Sequence, residues 1–443
     1  MSARIAAVTI TPLAFADPPL LNADGVHERH VLRGLVELHV ETADGRTVTG
    51  LGECTGHAWQ LDYLELLAPQ LVGLSVFDRG ALQRIVTEEL SGSGDGDGGW
   101  RRWSDRPDST DSRGPAPMPA KEFDQQRAFS VLEVALLDAQ GRVLGVPMVD
   151  LLGGAVRERV PFSAYLFYKW GEHPALDGEP GLADDWGPAL DPAGIVEQAR
   201  RMVDRYGFGS LKLKGGVFEP GAEIEAIAAL RRAFPELPLR LDPNAAWSVP
   251  TAIDAAHRLE GMLEYLEDPA PGIEGMAAVA RETSLPLATN MVVVSAGHIA
   301  PAVAAGAISV ILGDHHYWGG MRGSLDLSAV ARALDWNMSM HSNSHLGVSL
   351  AAMTAVVAAM PSLGHACDTH YPWNEADDIV RDPTRFENGT LAVDDRPGLG
   401  VELDRTAVDR LHQTYLELHR EHRNDGAYRA RVEPGFDTGL PRW

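Results

Sequence analysis

From residue 160 onward the chain repeats one pattern: a short apolar run, a polar residue at its end, then a stretch with helical spacing. The runs are VPFSAYLFY, SLKLKG, LRLDPN, LEYLEDP, PLATNM, AISVILGD, MSMHSN and HACDTH, and segments such as PAGIVEQARRMVDRYG and AEIEAIAALRRAF lie between them. Strands alternating with helices build a parallel sheet, and eight of them close it. The expected fold class is therefore α/β, a modified TIM barrel of the (β/α)7β type over residues 156–375, its eighth helix missing or altered. Polar residues at the carboxyl ends of such strands converge on the barrel mouth, where barrel enzymes keep their chemistry.

The rest of the chain frames this barrel. Residues 1–155 read as an α+β domain: ARIAAVTITPLAF and VLRGLVELHVETADG alternate like strands, and YLELLAPQLVGL and FSVLEVALLDAQGRVLG have helical spacing. A Gly/Ser/Asp-rich insert at about 91–120 is expected to be a mobile loop, or a lid if Trp100, Arg101, Arg102 and Trp103 close on an anion. The segment 376–443 is rich in turn formers and is expected to return to the first domain. A formal charge of −24 disfavours nucleic acid and anionic lipid as partners, and no apolar run is long enough to span a membrane. The amino terminus lacks a basic run followed by an apolar core, and the two cysteines, Cys54 and Cys367, suit reduced thiols, so a cytoplasmic location is expected.

The strand ends carry the chemistry. Asp242, Glu267 and Asn290 end three successive strands, and oxygen ligands from separate rigid strands suit Mg²⁺. Lys212 and Lys214 are two apart, so both point to the barrel interior. Their repulsion and a nearby cation are expected to lower the pKa of Lys214 and make it a general base. His341 and Asp314 end neighbouring strands, where a carboxylate on one ring nitrogen fixes the tautomer of a second acid/base group. His370 and Tyr165 are candidate substrate contacts, while His315, His316 and His345 read equally well as loop residues.

The strings FGSLKLKGG, RLDPNAAWS, EDP, LATNM, DHHYW, HSNSH, DTHYPW, PGLGVELD and RNDGA together resemble the enolase superfamily, in its glucarate dehydratase subgroup. The resemblance implies a barrel capped by an α+β domain built from both chain ends, often in a homo-oligomer. It implies Mg²⁺ on Asp242, Glu267 and Asn290, Lys214 and the His341–Asp314 pair as the two acid/base groups, and Lys212 on the substrate carboxylate. It also implies His27, Tyr165, Asn244, Ser342, Asn343, His370 and Arg423 as substrate contacts. Two departures stand out. The loop after EDP is shorter than in the subgroup, making Glu274 a rival ligand to Glu267. Glu122 replaces a substrate-contacting Thr, and a carboxylate there would repel a diacid. The expected activity is dehydration of an acid sugar, an aldarate or aldonate, to a 2-keto-3-deoxy acid. Racemisation or epimerisation on the same scaffold is the near alternative, followed by a non-catalytic carboxylate binder and a Schiff-base aldolase.

Overall fold

A computed structural model describes residues 3–92, 100–101, 118–176, 178–383, 385–420 and 422–443. The eight barrel strands are Arg159–Lys169, Leu211–Lys214, Leu239–Asp242, Tyr265–Glu267, Leu287–Thr289, Val310–Gly313, Asn337–Met340 and Cys367–Thr369, here numbered one to eight. They pair in parallel in sequence order, with strand one between strands two and eight. Strands seven and eight close the ring: the Gly364 and His365 N–H groups donate to Met338 O (3.0 and 3.2 Å) and Ser339 Oγ donates to Ala366 O (2.8 Å). Seven helices separate the strands, from Pro192–Tyr206 to Gly347–Ala359. After strand eight only the short helix Tyr371–Asn374 and one 3-10 turn stand where an eighth would be. The modified barrel read from the sequence is the fold observed.

Local chemistry explains the helices. In Pro192–Tyr206 the Asp191 side chain accepts from Gly194 N, proline fills the first turn, and Gly207 takes the left-handed conformation at the end (φ 72°). Ile195, Val196, Ala199, Met202 and Tyr206 recur at helical spacing and face the barrel. The strands, covered by helices outside and packed inside, are buried on both faces. Strand two shows the division: Leu211 and Leu213 join the apolar shell, while Lys212 and Lys214 point inward.

The cap is a three-stranded antiparallel sheet, Ala3–Ala16, His30–Thr42 and Thr47–Thr55, with the second strand in the middle. Helix Ala120–Leu144 lies across it so closely that a Cβ on Gly50 would come within 2.2 Å of Ala135 O. The tail packs back on this sheet: His412 Nδ1 donates to Pro12 O (2.7 Å), and Arg405 pairs with Glu37 (2.5 Å). It is more regular than its composition suggests, with helices Arg405–Leu418 and Asp425–Val432 capped by Asp404 and Asn424. Their buried stripes are only a few residues wide, too few to show as a periodicity. The insert read at about 91–120 falls largely outside the described residues.

Candidate active site

The barrel mouth and the cap enclose a cavity of about 290 Å³. From the barrel, Tyr165, Lys214, Asn244, Asn290, His341 and His370 reach it. The loop after strand seven adds Ser342 and Asn343, and the cap and tail add His27 and Arg423. Lys212, Asp242, Glu267 and Asp314 are fully buried beneath the floor. The structure thus gathers the candidate catalytic, metal and substrate-contact residues at one mouth but arranges them in two layers.

The lower layer is an ionic cluster. Lys212 Nζ lies 2.7 Å from both Asp368 Oδ2 and Glu267 Oε2, and 3.5 Å from Asp242 Oδ2. Lys214 Nζ donates to Asp242 Oδ2 (2.6 Å) and Asn244 Oδ1 (2.5 Å). Burial is the largest influence on both ammonium groups and works against the charge. The carboxylates outweigh it, Asp368 and Glu267 for Lys212 and Asp242 for Lys214, so both pKa values rise. At Lys214 the Asp242 carboxylate, 2.6 Å away, thus outweighs the repulsion from Lys212 on which the expected lowering partly rested. Lys212, expected at the substrate carboxylate, lies fully buried below the cavity and pairs with Glu267 and Asp368. Burial, with Asp242, Asp368 and Asp268 around it, holds Glu267 well above the usual carboxylate range.

These residues suit a cation. Oxygens of Asp242, Glu267 and Asp268 lie within 4.8 Å of one another, and all three residues are buried. Among the described residues Glu267 Oε1 and Asn290 Oδ1 are buried without a hydrogen-bond partner, and such orphaned oxygens call for a cation or a donor. Asp268, which the sequence reading passed over, holds the neighbouring backbone: its Oδ1 accepts from Thr289 Oγ1 (2.5 Å) and its Oδ2 from Asn290 N (3.0 Å). Glu274 is exposed on the first turn of helix Gly272–Ala280, so Glu267 and not its rival lies in the cluster.

The upper layer carries the His–Asp pair. His341 Nδ1 donates to Asp314 Oδ2 (3.0 Å), and Tyr317 OH lies 2.7 Å from the same nitrogen. Burial lowers the pKa of His341 below its ordinary value despite Asp314, which keeps the ring neutral near pH 7. Asp314 is held well below the usual carboxylate range, because His316 and His341 together overcome its burial. His316 is thus no loop residue at large; its Nδ1 lies 2.7 Å from Asp314 Oδ1.

The cap wall contains residues that sequence reasoning missed. Arg33 and Arg127 line the cavity, and the Arg127 guanidinium sits 3.9 Å from the Tyr317 ring centroid. Glu122, one and a half turns earlier on the same helix, is exposed and does not line the cavity. The helix therefore presents positive rather than negative charge to a ligand, which removes the expected repulsion of a diacid. His27 Nδ1 and Arg423 Nη1 both meet Asp17 Oδ2, at 2.9 and 2.8 Å, joining the first loop to the tail at the cavity rim.

A capped (β/α)7β barrel with buried acidic residues beneath its mouth defines a class. Residues 194–407 match the enolase C-terminal domain-like family, and residues 6–153 match the mandelate racemase / muconate lactonizing enzyme N-terminal domain. The chain belongs to the enolase superfamily, on its mandelate racemase / muconate lactonizing enzyme branch. It is 48% identical to a probable glucarate dehydratase of Streptomyces coelicolor, over 99% of each chain. An enolase of Mycobacterium smegmatis complexed with tartrate is 47% identical, with a TM-score of 0.90 over 100% of this chain and 99% of that one. An enolase of Pseudomonas fluorescens with bound magnesium, potassium and tartrate is 44% identical, with a TM-score of 0.91 over 100% of both chains. Together these likenesses support an enolase-superfamily dehydratase. Among the described residues no helix is long and apolar enough to cross a membrane.

Proposed function

We propose that the protein dehydrates an acid sugar with the help of Mg²⁺, abstracting the proton α to a carboxylate and eliminating the β-hydroxyl to leave a 2-keto-3-deoxy acid. The observation that carries this reading is that two acid/base groups, Lys214 and His341, line one cavity above a buried set of cation-competent oxygens. An aldarate fits best: Arg33 and Arg127 face the cavity, and the similar proteins are named for glucarate or hold the diacid tartrate. Buried free thiols at Cys54 and Cys367 support a reducing cytoplasm as its place.

Asp242, Glu267 and Asn290 would hold the cation. When bound, it supplies positive charge against the negative charge that develops on the substrate carboxylate. The remaining steps belong to side chains. His341, neutral and with its Nδ1–H committed to Asp314, offers Nε2 to the cavity and takes the α-proton of one configuration. For the other configuration Lys214 takes it, once its ammonium has lost a proton to solvent and its bond with Asp242 has broken. The C–H electron pair moves into the enolate, the β-carbon–oxygen bond breaks, and imidazolium at 341, formed by taking the α-proton or, on the Lys214 route, already protonated from solvent, protonates the departing hydroxyl as water. The enol then takes a proton at carbon 3 to become the ketone.

Because two acid/base groups line one cavity, epimerisation is the second reading. Both are tested by incubating the protein with Mg²⁺ and a panel of aldarates and aldonates in deuterium oxide, followed by proton NMR. A 2-keto-3-deoxy product supports dehydration, and α-deuteration with inversion but no elimination supports the epimerase. No exchange and no product on any aldarate or aldonate would count against both.

A further inference from the structure

Asp314 has two histidine partners, and the second is tied to the cap. Its Oδ1 accepts from the backbone N–H of His316 (2.8 Å) and faces His316 Nδ1 (2.7 Å), which leaves Oδ2 to His341. The other ring nitrogen of His316, Nε2, faces Ser349 Oγ (2.8 Å) and Arg33 Nη2 (3.3 Å). A guanidinium has donors only, so the nitrogen it faces must be an acceptor. The hydrogen of a neutral His316 is then on Nδ1, pointed at Asp314.

Arg33 is itself fixed. Its Nε and Nη2 meet Glu53 Oε1 at 2.9 and 2.8 Å, and its Nη1 donates to Asn343 Oδ1 (2.9 Å) on the cavity wall. Glu53 also accepts from the Leu346 and Ser349 N–H groups (2.8 and 2.9 Å) at the start of helix Gly347–Ala359. Arg33, Glu53, His316 and Asp314 are all at most 6% exposed.

We propose that His316, locked in one tautomer by Arg33 and Glu53 of the cap, is a positioning residue for the Asp314–His341 pair. This rests on the proposed role of that pair in proton transfer. His316 occupies one carboxylate oxygen with a neutral donor, so the other oxygen is aimed at His341 and its pull on that ring is moderated. The groups facing His316 are Asp314, Arg33, His315 (ring centroids 4.1 Å apart) and His345; those facing His341 are Asp314, Tyr317, Lys212, Asp368 and His370. Among them only Arg33 comes from the cap.

The test compares H316F with H316N on the acid sugar the enzyme turns over. In H316F Asp314 loses a donor and becomes a stronger acceptor for His341. The acid limb of kcat/KM should then rise by about half a pH unit or more, and kcat should fall ~10-fold while KM stays within about threefold. The amide of H316N can still donate to Oδ1, so this variant should recover most of the lost kcat. An unchanged acid limb in H316F, whatever its kcat, or an H316N variant as impaired as H316F, overturns the proposal. Nitrogen-15 NMR of histidine-labelled wild type needs neither a variant nor turnover. It should show a neutral, Nδ1-protonated His316 at pH 7, and an imidazolium or Nε2-protonated ring overturns the proposal too. Turnover retained in H341N would instead refute the acid/base assignment, a separate result from the tautomer.

Discussion

Asp314→Asn changes one atom and should disable the upper layer of the site without disturbing the lower. The carboxylate accepts two bonds on Oδ1 from His316 and one on Oδ2 from His341, and Tyr317 bonds to it as well. An amide satisfies the two on Oδ1 only by placing its oxygen there, which puts its NH₂ where Oδ2 was, 3.0 Å from His341 Nδ1. Donor then faces donor unless His341 moves its hydrogen to Nε2, and in that tautomer the ring has no lone pair to offer at the cavity. Positioned acid/base catalysis contributes roughly 10²–10⁴-fold. The loss in kcat should therefore be ~10²–10⁴-fold, or about 3–5 kcal/mol of activation free energy. Asp314 is fully buried and does not line the cavity, so KM should stay within about threefold. Steady-state rates on the acid sugar that gives product, with α-proton exchange measured alongside, decide the matter. A D314N variant with kcat within about threefold of wild type, or a loss confined to KM, would refute the tautomer argument.

Three further expectations concern pH, metal and stability. Burial disfavours imidazolium at 341, so kcat/KM should fall on acidification with a midpoint below the ordinary value of 6.5; a midpoint above it would contradict the assigned base. Chelation should abolish turnover and added Mg²⁺ restore it, while E267Q should weaken Mg²⁺ affinity by ~10-fold or more, measured calorimetrically; undiminished affinity would move the ligand role elsewhere. Asp17→Asn breaks a buried pair with Arg423 and should cost up to ~3–5 kcal/mol at pH 7, read by thermal unfolding. Burial alone would raise the pKa of Asp17, but His27 and Arg423 outweigh it and lower it below 3.8. Its stabilisation is thus present above that value and lost as pH falls through the lower folded pKa, where wild type and D17N should converge.

The barrel and its strand-end residues were legible because two periods reinforce each other. Alternation within SLKLKG turns both lysines inward, and the strand–helix repeat carries Asp242, Glu267 and Asn290 to the carboxyl ends of three successive strands. Asp368 carried a signal of the same kind, lying two residues before His370 on strand eight, yet its partner Lys212 is 156 positions away and nothing local announces the bond. Arg33 and Glu53 sit in ordinary alternating strands, where a buried charge looks like any solvent-facing one until the opposing barrel loop is in place. Glu122 misled because a helix turns about 100° per residue: it faces outward, while Arg127 on the same helix faces the cavity. At Lys214 the sequence reading weighed the neighbouring lysine and a cation but not Asp242, which the strand register sets 2.6 Å away.

The seam between cap and barrel also bears on how a substrate gets in. Lifting the cap as a rigid plate would break at least four buried or part-buried bonds, from Arg33 to Asn343 and His316 and from Leu346 and Ser349 to Glu53. With charged partners worth ~1.5–3 kcal/mol each, that opening is too rare to serve as a door in every turnover. The cap sheet is therefore fixed to the barrel along this seam, and traffic to the cavity has to pass where loops, not the sheet, form the wall.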